Sequence, residues 1–344
     1  MKKIGIITLN GNFNFGNRLQ NYALVKYIEK LGFNVTTIWF CNFKEYAKEM
    51  VKRIAFIFFN KRKHLFLSFT DKYIKPKYYF NCNVSNKYDY FVVGSDQVWN
   101  YEFPSFNSNM FLNFSNFDKN ISYAASFGVD SIPKNYFDTY KKGLNSIKYI
   151  SVREDAGAEI VRNVINKDCD VLIDPTLLMT RSDWDSIARK PKEYDGQKYI
   201  LCYFLGDMNK KTKDAINAFA EKKGCKIINV LDKDSKYYSV GPREFVWLEK
   251  HAELICTDSF HSSVFALIYD RPFVIFRREG KEKNMYSRID TLLSKFKIVE
   301  REFNGKEITK KNIEHNYTNA YTILEKEREK SKKFLDKALN TNIK

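Results

Sequence analysis

The sequence predicts an α/β chain built as two Rossmann-like units facing a cleft. Apolar strand-like runs alternate with amphipathic helical segments in two successive series. A polar stretch, Thr180 to Gln197, with Pro191 and Gly196 inside it, separates the series. The third observation is local: Leu254 to Phe276 reads LICTDSFHSSVFALIYDRPFVIF. An apolar run ends in Thr257-Asp258-Ser259; a short periodic segment, Arg271-Pro272 and a second apolar run follow. That is strand, loop, helix, strand, one unit of a parallel sheet. Ligands of such sheets sit at the carboxyl ends of strands beside helix N-termini, and Asp258, Ser259 and His261 fall at such a junction.

In chain order, Lys3 to Leu9 reads as the first strand. Asn10 to Asn17 (NGNFNFGN) is a turn rich in Gly and Asn, and Arg18 to Leu31 is a helix with Leu24, Tyr27, Ile28 and Leu31 on one face, stopped at Gly32. Phe33 to Phe40 is the second strand. The turn lacks GxGxxG, so no dinucleotide site is assigned, although its small residues allow close backbone approach to a ligand. Phe43 to Ile74 is helical in pattern and strongly basic. It reads either as a membrane-surface amphipathic segment or, the preferred reading, as an excursion packed on the first unit with its lysines in water. Tyr88 to Gly94 is a buried strand followed by Ser95-Asp96-Gln97. Ile121 to Ala125 is a strand, Pro133 opens a helix to about Gly143, and Tyr149 to Val152 is a strand ending at Arg153. Ala156 to Ile165 is a helix, and Val171 to Ile173 a short strand before Asp174-Pro175-Thr176.

The second series starts with a strand from Tyr199 to Leu205. A helix from Lys210 to Lys222, a strand from Cys225 to Val230 and a helix from Arg243 to Lys250 lead into the Leu254 stretch. Asp290 to Phe296 is a helix, Ile298 to Val299 a short strand, and Ile313 to Leu339 a long charged helix. The domain reading is 1–180 and 198–312 as the two units. Residues 313–344 form a C-terminal helix that returns to the first unit or stands as a solvated tail.

Composition bounds the function. The 344 residues suffice for one large or two ordinary domains. A net charge of +17 admits steering of anionic substrates, attraction to anionic membranes, or a general preference for Lys. No nucleic-acid-binding motif accompanies it, and nucleic acid is not expected as a partner. None of the six cysteines forms a CxxC pair, which fits a reducing, cytoplasmic compartment. The four histidines are scattered, so a metal-independent reaction without a cofactor is expected. No apolar run is long enough to span a membrane.

Several stretches together resemble the polysaccharide pyruvyl transferase family. They are Gly11 to Leu24 (GNFNFGNRLQNYAL), Phe91 to Trp99 (FVVGSDQVW), Ile121 to Gly128 (ISYAASFG), Ile150 to Gly157 (ISVREDAG), Asp174 to Leu177 (DPTL) and Thr257 to Phe276, in matching order. The resemblance covers roughly residues 1 to 280. It implies a GT-B-like fold and transfer of a pyruvyl group from phosphoenolpyruvate to a sugar, forming a ketal and releasing phosphate. It also implies that basic side chains hold the donor and that a histidine late in the chain serves catalysis. Arg153 falls in the family's Ser-x-Arg motif, and His261 matches the late histidine. Some members carry an arginine two residues before that histidine. This chain has Ser259 there, so that donor-binding cation is either missing or supplied by Arg277, Arg278 or Arg271, and the identity of the donor is left open by the resemblance.

The candidate roles follow. His261 exchanges a proton near neutrality, and Asp258 orients it or takes a proton from a hydroxyl. Arg153, Ser259, Arg277 and Asn17 bind the donor, Arg153 by a bidentate fork. Its structural alternative is an ion pair with Asp155 or Glu154. Asp96 and Gln97 bind acceptor hydroxyls. Asp258 or Ser259 is equally placed as N-cap of the next helix. The partners are phosphoenolpyruvate and a saccharide or lipid-linked saccharide, with peripheral membrane contact at the inner face as a further partner call. The alternatives are a GT-B glycosyltransferase using a nucleotide sugar and a noncatalytic carbohydrate-binding scaffold of polysaccharide assembly.

Overall fold

The computed structural model describes residues 1–11, 14–278 and 286–339. Residues 12 and 13 of the Asn-rich turn lie outside them, as do the last five residues. The first half contains strands β1 (Lys3–Ile7), β2 (Asn34–Phe40), β3 (Lys77–Tyr79), β4 (Tyr90–Val93), β5 (Asn120–Ser122), β6 (Ser151–Val152) and β7 (Asp170–Val171). Its helices are α1 (Phe15–Lys30), α2 (Phe43–Phe59), α3 (Lys61–Phe69), α4 (Phe137–Asn145), α5 (Asp155–Ile165), α6 (Pro175–Leu178) and α7 (Arg181–Asp185). The second half contains β8 (Tyr199–Tyr203), β9 (Lys226–Asn229), β10 (Leu254–Thr257) and β11 (Phe273–Ile275). With them run α8 (Lys210–Lys223), α9 (Pro242–His251), α10 (Phe260–Tyr269), α11 (Ser287–Phe296), α12 (Lys310–Ile313) and α13 (Thr318–Ala338).

Two parallel sheets result, in the orders β3-β2-β1-β4-β5 and β11-β10-β8-β9. Parallel bridges from Ile121 to Tyr149 and from Ala125 to Val152 carry the first sheet on to the β6–β7 pair. Strands buried on both faces read as continuous apolar runs, which is why YFVV, YILCY and LICT were legible as strands. Helix α1 starts three residues before the predicted Arg18, because the Asn14 side chain caps it by accepting from the Asn17 amide at 3.1 Å. Strand β3 went unpredicted: three residues on a sheet edge carry no periodicity of their own. The strand expected at Ile298-Val299 is instead a 3₁₀ turn, Val299–Arg301, following the left-handed Lys297. The polar connector is ordered by α7, capped reciprocally by Thr180 and Asp183, with Trp184 fully buried.

The two halves share a core. Phe15 of α1 stacks on Phe245 of α9, with centroids 4.2 Å apart and planes within 6°. Arg62 of α3 donates to the carbonyls of Val230 (2.9 Å) and Tyr238 (2.7 Å). Helix α13 runs back to the first half, where Arg328 donates to the carbonyls of Leu177 and Met179 and Lys330 to that of Val171. These ties set how the two sheets face each other.

Candidate active site

Each sheet has a point where neighbouring strands are reached in opposite directions. In the first it lies between β1 and β4, in the second between β8 and β10. Ligands bind at such points, outside the carboxyl ends of the strands. Asp96 and Gln97 follow β4; Asp258 and Ser259 follow β10. The structure brings these four together with His261, Arg278 and Arg288 around one cavity of about 420 Å³.

His261 lies in the first turn of α10. A Cβ on Gly16 of α1 would come within 2.1 Å of His261 Nδ1. The imidazole of one half therefore rests on bare backbone of the other. Its Nε2 lies 3.6 Å from Asp174 Oδ2. Asp174 is the N-cap of α6, and its Oδ1 accepts from the Thr176 amide (2.9 Å) and hydroxyl (2.7 Å). Its Oδ2 accepts from Arg153 Nη1 (2.7 Å) and the Ser95 hydroxyl (3.0 Å). Burial alone would raise this carboxyl. His261, Arg153 and the Thr176 amide outweigh burial and hold it far below the usual carboxylate range. A fixed anion thus lies behind the histidine, on the side of its Nε2.

Gly16→Ala tests that packing. Gly16 is buried in the first turn of α1 against an enclosed imidazole, so the added methyl should cost about 1–3 kcal/mol of stability through overpacking, short of unfolding the protein. The new methyl must push the imidazole aside by about an ångström, and turnover should fall about 100-fold. Melting temperature and turnover measured on one preparation decide; undiminished turnover would contradict the packing.

Asp258 does not orient His261. Its Oδ1 accepts from the Leu205 amide (2.7 Å), and its Oδ2 from the Gly206 amide (2.8 Å) and Arg278 Nε (2.7 Å). It ties the loop after β8 to the loop after β11 and aims Arg278. The histidine's carboxylate is Asp174, which the sequence reading placed only within DPTL. Neither Asp258 nor Ser259 caps α10 with its side chain. Ser259 occupies the N-cap position and lines the cavity, so the helix N-terminus opens toward it with partial positive charge.

Arg153 lies one layer deeper than the sequence reading had it. Its side chain is 1% exposed and does not line the cavity. Phe260, which does, sits over it with its ring centroid 4.7 Å from the guanidinium carbon. The partner of Arg153 is Asp174 rather than Asp155, while Glu154 and Asp96 stand at 4.0 Å. Arg277 is also elsewhere: half-exposed, it pairs with Glu302 (2.6 Å) and Asp290 (2.8 Å). Among the described residues, the arginines lining the cavity are Arg278 and Arg288. Burial first, then neighbouring Arg153, lowers the Arg288 guanidinium to about 10, so it stays charged at neutral pH. The sequence reading did not weigh Arg288, which begins an ordinary-looking helix beyond the last motif.

Asn17 faces inward. Its Nδ2 donates to Asp96 Oδ2 (2.7 Å) and the Leu9 carbonyl, and its Oδ1 accepts from buried Arg18. Asp96 sits at φ 51, in the left-handed region, and its Oδ1 accepts from the Gln97 amide at 2.9 Å. Burial raises its carboxyl, but Arg153, His261 and the Asn17 bond together leave it lowered and ionised. Gln97 packs on Gly128, where φ is +68 and a Cβ would meet Oε1 at 2.0 Å. Asp96, Gln97, Asn14 and Phe103 line both this cavity and a second pocket, of about 310 Å³, beside Asn10 and Gly11. The first half thus offers a carboxylate and amides, and the second a histidine and two guanidiniums.

A model of the family described as polysaccharide pyruvyl transferase matches residues 14–280. The chain belongs to this family. The match contains Arg153, Asp174, Asp258, His261 and Arg278 and stops short of Arg288. No curated protein matches the chain. Among solved structures, a Listeria monocytogenes protein assigned as a UDP-N-acetylglucosamine 2-epimerase is similar at a TM-score of 0.50 and 12% identity, over 94% of this chain and 95% of that one. The UDP-GlcNAc 2-epimerase of Neisseria meningitidis bound to UDP-GlcNAc gives 0.49 and 10%, over 99% and 100%. MurG of Acinetobacter baumannii gives 0.39 and 10%, over 99% and 100%. The Listeria likeness shows the fold alone, and that fold is GT-B. The family is described by its transferase activity.

Proposed function

We propose that the protein transfers a pyruvyl group from phosphoenolpyruvate to a saccharide of a surface polysaccharide or its precursor, forming a ketal. The observation that carries this reading is His261, backed by ionised Asp174, facing a cavity that also holds Arg278 and Arg288. Phosphoenolpyruvate presents a phosphate and a carboxylate, and two guanidiniums match two anionic groups. His261 gives a proton to the methylene carbon, and carbon two becomes electrophilic. A sugar hydroxyl adds there and releases its proton. Phosphate then departs with the electron pair of its C–O bond, and a second hydroxyl closes the ketal, releasing another proton. Of the two protons the hydroxyls release, one replaces the proton His261 gave to the methylene carbon and the other leaves on the phosphate, so the step balances with hydrogen phosphate as the product. Asp96 is placed to receive a hydroxyl proton, with Gln97 beside it. Within this reading Arg153 and Asp174 hold the histidine rather than the substrate.

The cations provide a direct comparison. Arg288→Ala should weaken phosphoenolpyruvate binding by about 1.5–3 kcal/mol, the range for a hydrogen bond to a charged group. Arg277→Ala should leave it unchanged. Calorimetry on both variants checks this, and equal losses would remove Arg288 from the donor site. The reaction itself is tested by incubating the protein with phosphoenolpyruvate and a library of capsule fragments, following phosphate release and a gain of pyruvate mass. Stabilisation by UDP- or GDP-sugars but not by phosphoenolpyruvate would favour a nucleotide-sugar transferase. Oligosaccharide binding with no donor response would favour a noncatalytic scaffold.

A further inference from the structure

Helix α2 carries an apolar stripe that no other described residue covers. None of its residues is buried. Phe43, Val51, Ile54 and Phe58 recur at helical spacing on one face and are 75%, 68%, 61% and 74% exposed. Phe80, also exposed, extends the stripe, its ring 6.3 Å from that of Phe43. A contiguous exposed apolar surface of this kind marks an interaction site. The rotation of the helix is set from behind: Arg53 donates to both Asp71 oxygens (2.8 and 2.9 Å) and to the Tyr78 hydroxyl (2.9 Å). Beside the stripe Lys44, Lys48 and Lys52 follow one another at four-residue spacing, all exposed.

Behind α2 lies a groove of about 400 Å³, lined by Trp39, Tyr46, Phe56 and Tyr78 together with Lys52 and Lys63. It reaches Asn10 and Gly11, which also line the pocket beside Asp96. Among the described residues no helix is long and apolar enough to cross a membrane, so contact would be with a surface.

We propose that α2 docks this protein on a bilayer containing anionic lipid, the apolar stripe entering the headgroup boundary and the lysine row lying over lipid phosphates. An amphipathic helix with lysines beside an apolar face binds this way, and the net charge of +17 has the matching sign. Self-association of two antiparallel copies through the same face is disfavoured, because that two-fold contact puts the lysine rows of both copies on one side.

The test needs neither donor nor acceptor, so its outcome is separate from that of the pyruvyl-transfer reading. Full-length protein is sedimented with vesicles of phosphatidylcholine alone or of equal parts phosphatidylcholine and phosphatidylglycerol. Wild type should pellet with the mixed vesicles and much less with the neutral ones. The double variant Ile54→Glu/Phe58→Glu should partition at least about tenfold less, with an unchanged melting temperature because both side chains are exposed. The double variant Lys44→Glu/Lys48→Glu, on surface positions that do not affect folding, should lose the preference for phosphatidylglycerol. Failure of wild type to pellet with either vesicle, or equal pelleting of wild type and both variants, would overturn the proposal. So would light scattering that finds a wild-type dimer which Ile54→Glu/Phe58→Glu converts to monomer.

Discussion

His261→Asn is expected to lower turnover by about 10²–10⁴-fold, the usual contribution of a positioned general acid–base, while leaving donor binding intact. Asn keeps a polar side chain of comparable reach but cannot titrate. The substitution leaves Arg278 and Arg288 in the cavity, so ground-state binding survives and the loss falls on the chemical step. The measurement is single-turnover rate and donor affinity on the same preparation as a melting curve. A purely structural histidine predicts the reverse pattern, a lower melting temperature with nearly normal turnover per folded molecule. Full turnover in the variant would falsify the assignment.

Arg153→Ala should act on the fold itself. The sequence reading, with Arg153 on the donor, predicts little loss of fold. The structure predicts otherwise, because the guanidinium is enclosed and neutralises Asp174 at 2.7 Å with Asp96 and Glu154 at 4.0 Å. Removing one member of a buried pair strands the other, and the cost is about 3–5 kcal/mol. Urea unfolding should show the midpoint falling by that equivalent with an unchanged slope. The acid limb should move as well. In the wild type Asp174 is held far below its ordinary range. Its stabilising contribution is therefore complete above the unfolded carboxylate value of about 3.9 and is lost as the pH falls further. Without Arg153 the carboxyl takes up protons more readily, and the limb shifts to higher pH. Near-normal stability combined with weakened phosphoenolpyruvate binding would return Arg153 to the donor.

Much of this arrangement was legible in the chain, for local reasons. Continuous apolar runs mark strands buried on both faces, and β4, β8 and β10 stand where YFVV, YILCY and LICT stand. A polar cluster at the end of such a run belongs at a sheet's carboxyl edge. Asp96, Gln97, Ser259 and His261 could thus be named from spacing alone, and the structure brings them to one cavity. The order of six short motifs pointed to the family that the model match assigns.

What the chain could not declare was which charge meets which. Asp258 is close to His261 in sequence yet spends both oxygens on the loop after β8 and on Arg278. Asp174, far away in sequence, reaches the imidazole because α6 packs between α1 and α10. Arg153 sits at its strand end as expected but under Phe260, and Arg288 arrives from a helix that no motif announces. Local pattern sets strands and helices because it depends on neighbours one to four residues apart. Partner choice among buried charges depends on separations of a few ångströms in a low-dielectric interior. Those separations arise only when two sheets, joined through Phe15 on Phe245 and His261 on Gly16, close on one another.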